Sequence, residues 1–435
     1  MSKNPRLLAL QGLISVAVDG RSLSVVSPTL NSLPANDRGL ASELLMGTLH
    51  HYFELKAIAK GLLTRQLKQQ DQDVLLCLLL GLYQLHYTRI PDHAAIHETV
   101  SLCDELDKPW GKSILNAILR RVQRTPDMIK EFNLTPPSRH NLPNWLFDQL
   151  SSDWPDSEQW LVNLHTRAPL TLRINRNQTS AEEYLQLLSE ADIGALMLDH
   201  TKDAISLNEA TDVSQLPHYE DGYFSVQDAA AQWAGHILNP QAGERILDAC
   251  AAPGGKSAHI LELTNNKCHL VALDSVAERL DRLRDNLKRL SLTADVRCGD
   301  AMVPGDWLSD NEEMFDRILC DAPCSATGII RRHADITIHR TAKDIKRLNQ
   351  TQWRILKSLW SRLKPGGTFV YSTCSILKSE NEQLIADFLR QNEDASLVPF
   401  NTARPVRECG GTWQIFPGEN GMDGFFYAKL VKRLD

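Results

Sequence analysis

The stretch Ile246–Ser257, ILDACAAPGGKS, decides how the C-terminal half of this chain is read. An apolar strand over Arg245–Ala249 runs into a turn of small residues, Cys250–Gly255, and then into a helix carrying Lys256, Ile260 and Leu261. Small residues at a strand-to-helix turn let a ligand approach the main chain, and the N–H groups of the helix N-terminus point at it. The stretch is a nucleotide-binding candidate, and two kinds of nucleotide compete for it.

A phosphate loop reads G-x-x-x-x-G-K-[ST]; Gly255-Lys256-Ser257 fits its end, but Cys250 stands where the first glycine belongs. The rival is a nucleoside without phosphates, such as S-adenosylmethionine, whose ribose needs an acceptor at the end of the next strand. Strand His269–Leu273 ends in Asp274, twenty residues after Gly254, where an open α/β sheet places a ribose-binding carboxylate. The residues favour the nucleoside.

Outward from this stretch the pattern alternates. Helix Gln227–Leu238 precedes it and Val276–Leu290 follows Asp274, while a strand near Asp295–Arg297 ends at Gly299-Asp300. Strand Phe315–Leu319 leads to Cys320-Asp321-Ala322-Pro323-Cys324, helix Ala342–Leu363 follows, and strand Gly367–Tyr371 leads to Ser372-Thr373-Cys374-Ser375. Helix Glu380–Arg390 and a hairpin of Trp413–Ile415 with Phe425–Leu430 close the chain. Alternating strands and amphipathic helices predict a parallel sheet covered on both faces, with ligands outside the carboxyl ends of its strands.

From Pro5 to about Arg124 apolar residues recur every three and four positions, as an all-α bundle requires. Asp37, Pro91-Asp92 and Asp127 read as helix starts or turns, and Val74–Leu82 is apolar but too short for a membrane span. Asn133–Asn144 reads as a linker. Beyond it a smaller mixed region holds helices over Asn144–Leu150, Ser157–His165 and Ala181–Ser189, and strands over Leu170–Ile174 and Ala204–Leu207. The three expected domains are 1–135, 144–222 and 223–435.

The 435 residues carry a net charge of −7, against a protein that simply coats nucleic acid. The charge is +2 through Thr135 and −9 beyond it. Arg120, Arg121 and Arg124 in the first part, and Arg331 and Arg332 in the second, are candidate phosphate contacts. The plain reading of each is a solvated helix end or loop. Nine scattered cysteines without a C-x-x-C pair indicate neither a disulfide framework nor a metal site. No secretory signal is evident, so a cytoplasmic protein is expected; with no coiled-coil or repeat pattern, a monomer is expected too.

Cys324 and Cys374 emerge at neighbouring strand ends beside the proposed cofactor turn. A methyl donor next to a thiol suggests alkylation of a pyrimidine at C5, a carbon too weak a nucleophile to react unaided. Thiolate addition at C6 makes C5 enamine-like, C5 takes the methyl group, and loss of the C5 proton expels the thiol. Asp321 could share a proton with cytosine N3 as negative charge builds there, or it could be only a turn residue before Ala-Pro. Asp300 could accept from an adenine amino group. Either cysteine could be the attacking one.

The motifs DACAAPGGKS, VALD, CGDA, DAPCSATG followed by IRRH, and STCSI, in this order, resemble the RNA 5-methylcytosine methyltransferases that use S-adenosylmethionine. RIPDHAAIHETVSLCDEL and SILNAILRRVQR resemble the NusB-type RNA-binding domain found in a bacterial ribosomal RNA branch of that family. The resemblance runs over nearly the whole chain, to DGFFYAKL. It implies an α/β architecture: a Rossmann-like class I methyltransferase domain, an N-terminal all-α NusB-like domain and a small mixed connector. It implies S-adenosylmethionine held by Cys250, Ala251, Ala252, Pro253, Gly254, Gly255 and Lys256, with Asp274, Asp300 and Asp321. It makes Cys374 the nucleophile and Cys324 the residue that assists release. The implied substrate is an unpaired cytosine of small-subunit (16S) rRNA, with no membrane or metal partner. Two departures stand out. Ala334 replaces a proline common in the family, in a loop expected near the RNA, and Leu49-His50-His51 stands where a basic Arg is common.

Two readings compete with this one. A P-loop-like NTPase acting on RNA would use Asp321 as its metal-binding carboxylate, but would leave Cys250 misplaced and two thiols without a use. A non-catalytic RNA-binding scaffold would have no need of Asp321, Cys324 and Cys374 together.

Overall fold

The computed structural model describes residues 4–198, 201, 203–209, 211–309, 313–400 and 407–434. The chain divides into two compact units, Met1–His165 with Ile330–Thr341, and Thr166–Ile329 with Ala342–Asp435.

The first unit is helical, with Pro5–Ala17, Ala35–His50, Tyr52–Leu62, Gln72–Tyr87, Asp92–Glu105 and Gly111–Arg124 among its members. Asn4 Oδ1 accepts from the amides of Arg6 and Leu7 at 2.9 and 3.4 Å, meeting two N–H groups that the first helix itself cannot pair. Asp37 and Asp92 lie in first turns, where the helix dipole favours an anion. Asp127 sits in a short 3-10 turn, Pro126–Ile129. The apolar segment Val74–Leu82 is the bundle's central helix, buried on all sides from Val74 to Gln84. Gln84 is tolerated there because its amide donates to the Leu80 carbonyl and the Thr99 hydroxyl at 3.1 and 2.9 Å, and its carbonyl accepts from Arg6 Nε at 2.8 Å. Among the described residues no helix is long and apolar enough to cross a membrane.

The helical unit extends further than the sequence suggested. Helix Asn144–Asp153 and the turns up to His165 group with it by their contacts. The expected linker is partly structured: Pro136–Arg139 forms a helical turn, and Asn141 Oδ1 accepts from the Glu54 amide at 3.0 Å. The segment Ile330–Thr341 also belongs here. Ala334 is buried in the helical core with Ile338 packed against it, Asp335 Oδ2 accepts from the Leu23 amide at 2.9 Å, and His339 Nε2 lies 2.8 Å from the Val16 carbonyl. The sequence suggests a loop near the RNA for residues 330–335 of this segment.

In the second unit, β1 (Leu170–Ile174), β2 (Ala195–Met197), β3 (Ala204–Leu207) and β4 (Phe224–Val226) form an antiparallel sheet in the order β2-β3-β1-β4. Helix Ala181–Glu190 opens with a capping box between Ser180 and Glu183 and packs Tyr184 and Leu188 with Leu172, Ile174 and Phe224. The expected boundary at 222/223 cuts off β4, which pairs with β1 through Leu172 and Val226. Strands of three residues are too short for alternation to reveal them.

The remaining strands are β5 (Arg245–Ala249), β6 (His269–Asp274), β7 (Asp295–Cys298), β8 (Phe315–Asp321), β9 (Leu363–Thr373), β10 (Ala395–Leu397), β11 (Arg407–Cys409), β12 (Thr412–Ile415) and β13 (Phe425–Lys432). Their order is β11-β12-β13-β9-β8-β5-β6-β7, with β10 also on β13. Strands β7, β6, β5, β8 and β9 run parallel; β13 is antiparallel to β9. Alternate side chains feed two cores: Ile246, Leu270 and Leu319 pack in one, Leu247, Val271 and Ile318 in the other. Strand order reverses at β5, with β6 on one side and β8 on the other, so a crevice opens at their carboxyl ends.

Two buried charges tie the sheets to the glycine turn. Arg173 of β1 is 0% exposed. Its Nε and Nη2 donate to the two oxygens of Glu262 at 3.0 and 2.8 Å, and its Nη1 donates to the Gly255 carbonyl at 2.8 Å and to Gln227 Oε1. Asp248, inside β5, accepts from Ser257 Oγ at 2.5 Å. Burial pushes its carboxyl up to about 7, opposed by that hydrogen bond and by Lys256.

Arg173→Met leaves Glu262 buried without its cation, and urea denaturation is expected to register a loss of about 3–5 kcal/mol. Pairing it with Glu262→Leu should recover most of that loss. Asp248 contributes stability that is complete below its unfolded pKa of about 4 and is lost as pH rises through about 7. Relative to Asp248→Asn, the wild type should therefore lose of order 4 kcal/mol between pH 4 and pH 8 in denaturation curves. A constant difference across that window would refute the assignment.

Candidate active site

The turn after β5 is shaped by two positive φ angles, +61° at Cys250 and +99° at Gly254. A side chain at Gly254 would also strike Leu283, whose Cγ and Cα lie 2.9 and 3.2 Å from the position of a Cβ, so this glycine is required twice over. The turn is held to the next strand by the Ala251 amide on the Leu273 carbonyl at 2.9 Å and by the Ala252 amide on Asp274 Oδ2 at 3.1 Å. Ala251 and Ala252 are buried, and Pro253 is exposed. Burial pushes the Cys250 thiol up.

Cys250, Asp274, Arg279, Asp300, Met302 and Pro323 line a cleft of about 160 Å³ at the strand ends. Asp274 Oδ1 also accepts from the Val276 amide at 3.1 Å, and Arg279 donates to the Ala252 carbonyl at 2.7 Å. Asp300 Oδ1 accepts from the Met302 amide at 2.8 Å, and the Asp300 carbonyl accepts from Trp307 Nε1 at 3.0 Å. Both carboxylates expected to meet a nucleoside thus stand in one cleft, each oriented by a main-chain donor.

Asp321 ends β8. Lys256 Nζ donates to its Oδ2 at 2.5 Å and Ser372 Oγ to its Oδ1 at 2.9 Å. The ammonium also lies 5.2 Å from the centre of the Phe425 ring. Strand pairing sets Asp321 opposite Ser372, so the chains beyond them run side by side and bring Cys324 Sγ within 3.5 Å of Cys374 Sγ. The Gly328 amide donates to the Cys374 carbonyl at 2.9 Å, closing one loop on the other. Cys324 is 9% exposed, whereas Cys374 is half-buried. The hydrogen bond with Cys374, together with burial, raises the Cys324 thiol well above its ordinary pKa.

The basic candidates fare unequally. Arg120, Arg121 and Arg124 are exposed on the last turns of helix Gly111–Arg124. Arg331, at 4% exposure, and the half-buried Arg332 lie in the helical unit. Arg331 is not an open phosphate contact, because the segment that carries it is packed into a core. Residues that the sequence reading passed over include Arg279, Gln352, Glu380 and Asn381. Arg279 looked like one of many cations on a charged helix, and Glu380 like a helix-start acid. Asp203, His236 and His259 also converge, with ligand atoms within 4.8 Å of one another. Arg176 already pairs with Asp203, and burial, followed by Arg173, holds His259 well below its usual pKa.

Three family profiles match the chain: the NusB family over residues 3–124, a ferredoxin-like domain of the RsmF/B-like methyltransferases over 142–214, and the 16S rRNA methyltransferase RsmB/F family over 235–431. The ribosomal RNA small subunit methyltransferase B of Pseudomonas putida is 44% identical over 436 residues, covering 99% of this chain and 98% of its own. The crystal structure of PH0851 superposes with a TM-score of 0.81 at 22% identity, over 99% of this chain and 100% of that one. A methyltransferase homolog from Pyrococcus horikoshii gives 0.60 at 28% identity, over 69% of this chain and 100% of its own. The parallel sheet with its strand-end cleft is accordingly a Rossmann-like methyltransferase domain, joined to a NusB-like helical domain. With a full-length relative at this identity and the cleft, glycine turn and paired thiols in place, the chain belongs to the ribosomal RNA small subunit methyltransferase B family.

Proposed function

We propose that this protein transfers a methyl group from S-adenosylmethionine to C5 of an unpaired cytosine in small-subunit rRNA, through a transient bond between Cys374 and C6 of the base. The observation that carries the reading is the pair of thiols 3.5 Å apart at adjacent strand ends. The names of the relatives, which specify small-subunit rRNA, support the substrate.

The turn Cys250–Lys256 would hold the cofactor, with Asp274 accepting from ribose hydroxyls and Asp300 from the adenine amino group. The fit rests on two carboxylates in one cleft that Cys250 of the turn also lines. S-adenosylmethionine, when bound, supplies an electrophilic methyl group.

The chain's own residues do the rest. Cys374 Sγ, as a thiolate, adds to C6 and drives electron density to C5 and N3. Asp321, held between Lys256 and Ser372, relays a proton from the Lys256 ammonium to N3 as that charge develops. Once C5 carries the methyl group, a solvent water takes its proton, the C5–H electron pair re-forms the C5=C6 bond, the Sγ–C6 bond breaks and Cys374 leaves as the thiolate. Cys324, with its Sγ 3.5 Å from that of Cys374, assists that release. The target base must be unstacked to reach the thiol, and the exposed Arg120, Arg121 and Arg124 contact phosphates of the folded RNA.

Cys374→Ala should abolish both methylation and covalent RNA adducts, while Cys324→Ala should accumulate a denaturation-resistant adduct on gels. Normal turnover by Cys324→Ala, with adducts persisting in Cys374→Ala, would reverse the roles. In isothermal titration Asp274→Asn should weaken S-adenosylmethionine binding about ten-fold, the factor for one lost hydrogen bond to a charged group. Tight binding of ATP–Mg by the wild type with none of S-adenosylmethionine would overturn the reading.

A further inference from the structure

Glu380 closes a 3-10 turn, Lys378–Glu380, ahead of helix Glu382–Gln391. Its side chain is 0% exposed. Oε1 accepts from the Ser325 amide and from Gln352 Nε2, both at 2.8 Å, and Oε2 accepts from the hydroxyls of Ser325 and Ser375 at 2.5 and 2.6 Å. Ser325 and Ser375 are the residues that directly follow the two cysteines. Gln352 Nε2 also donates to the carbonyl of Pro323, directly before Cys324, at 2.9 Å. The neighbour Asn381 brackets Cys374 from both sides: its Oδ1 accepts from Thr373 Oγ1 at 2.6 Å and its Nδ2 donates to the Ser375 carbonyl at 2.9 Å.

A carboxylate in a dry interior is costly unless donors meet its oxygens. Here the donors come from the loop after β8, the loop after β9 and helix Ala342–Trp360, and those from the two loops lie one residue beyond each thiol. The ribbon of strand pairing stops at Asp321 and Ser372. Beyond that point the two loops share the main-chain bond from Gly328 to Cys374, and side chains carry the rest of the register.

We propose that Glu380, seconded by Asn381, is a positioning residue that clamps the Cys324 and Cys374 loops together and so keeps the two thiols in contact. Its part in the reaction rests on the two-thiol reading above; the clamp itself does not. Fixed thiols let Cys324 act on the adduct that Cys374 has formed. Loosening the clamp leaves Cys374 able to add to the base but separates it from the residue that assists release.

The test uses the full-length protein and the oxidant diamide. Each Cys324–Cys374 disulfide formed passes two electrons and two protons to one diamide, and the linked peptides are counted by mass spectrometry. Glu380→Gln keeps the side chain's size but replaces an acceptor with an amide donor. It should form the disulfide about ten-fold more slowly than wild type, the factor for one hydrogen bond to a charged group. Ser325→Ala, which removes one hydroxyl donor and keeps the amide, should slow it less in the same direction, and carries the test if Glu380→Gln does not fold. With rRNA and S-adenosylmethionine, Glu380→Gln should also accumulate adduct as turnover falls, whereas a merely structural defect would lower addition and release together. Oxidation of folded variants at the wild-type rate, or loss of adduct in step with turnover, would overturn the proposal. Slowed oxidation in proteins of which none, wild type included, forms an RNA adduct would uphold the clamp and sink the covalent mechanism.

Discussion

The ion pair between Lys256 and Asp321, at 2.5 Å, is the contact on which the arrangement of this site turns. Lys256 belongs to the first turn of the helix that follows the glycine turn, and Asp321 to the last position of β8. Ser372 adds β9 to the same carboxylate. One acidic side chain therefore joins three successive strand ends of a parallel sheet. It joins them where main-chain pairing gives out, and where a ligand needs a floor that does not move.

A similar economy recurs in the interior. Arg173 and Glu262 are both withdrawn from water, a placement that contributes little net stability compared with an apolar pair of equal volume. Because Arg173 also bonds the Gly255 carbonyl, the pair fixes where the helix N-terminus points relative to the small sheet. Glu380 is placed by the same logic one layer further along, among hydroxyls and amides in place of a cation. Apolar packing on either face of the large sheet supplies the stability. The buried polar groups specify the geometry.

Much of the fold was legible because its signals are local. The strand over Arg245–Ala249 was read with the bounds that the structure has, and the helix after Asp274 to within one residue at each end. Alternation and three-to-four spacing depend only on near neighbours. The three-residue strands β2 and β4 carry no such period, and the helices over residues 144–165 were separated from their bundle by a proline-rich stretch that is itself partly folded. At the site, the glycine turn, Asp274, Asp300, Asp321 and the two cysteines could be singled out from residue type and position after a strand. Arg279, Gln352, Glu380 and Asn381 could not, since each resembles an ordinary surface or cap residue until its partners are known.

The order of strands and helices along the chain, the small-residue turn after β5 and the placing of chemistry at strand ends were determined by the sequence alone, since each follows from short-range sterics and periodicity. That Cys324 and Cys374 touch, that Arg331 is buried and that Ile330–Thr341 belongs to the helical unit were decided only by the tertiary structure. These depend on pairings between residues tens to hundreds of positions apart, as with Leu23 and Asp335, and no local pattern encodes which distant partner will be met.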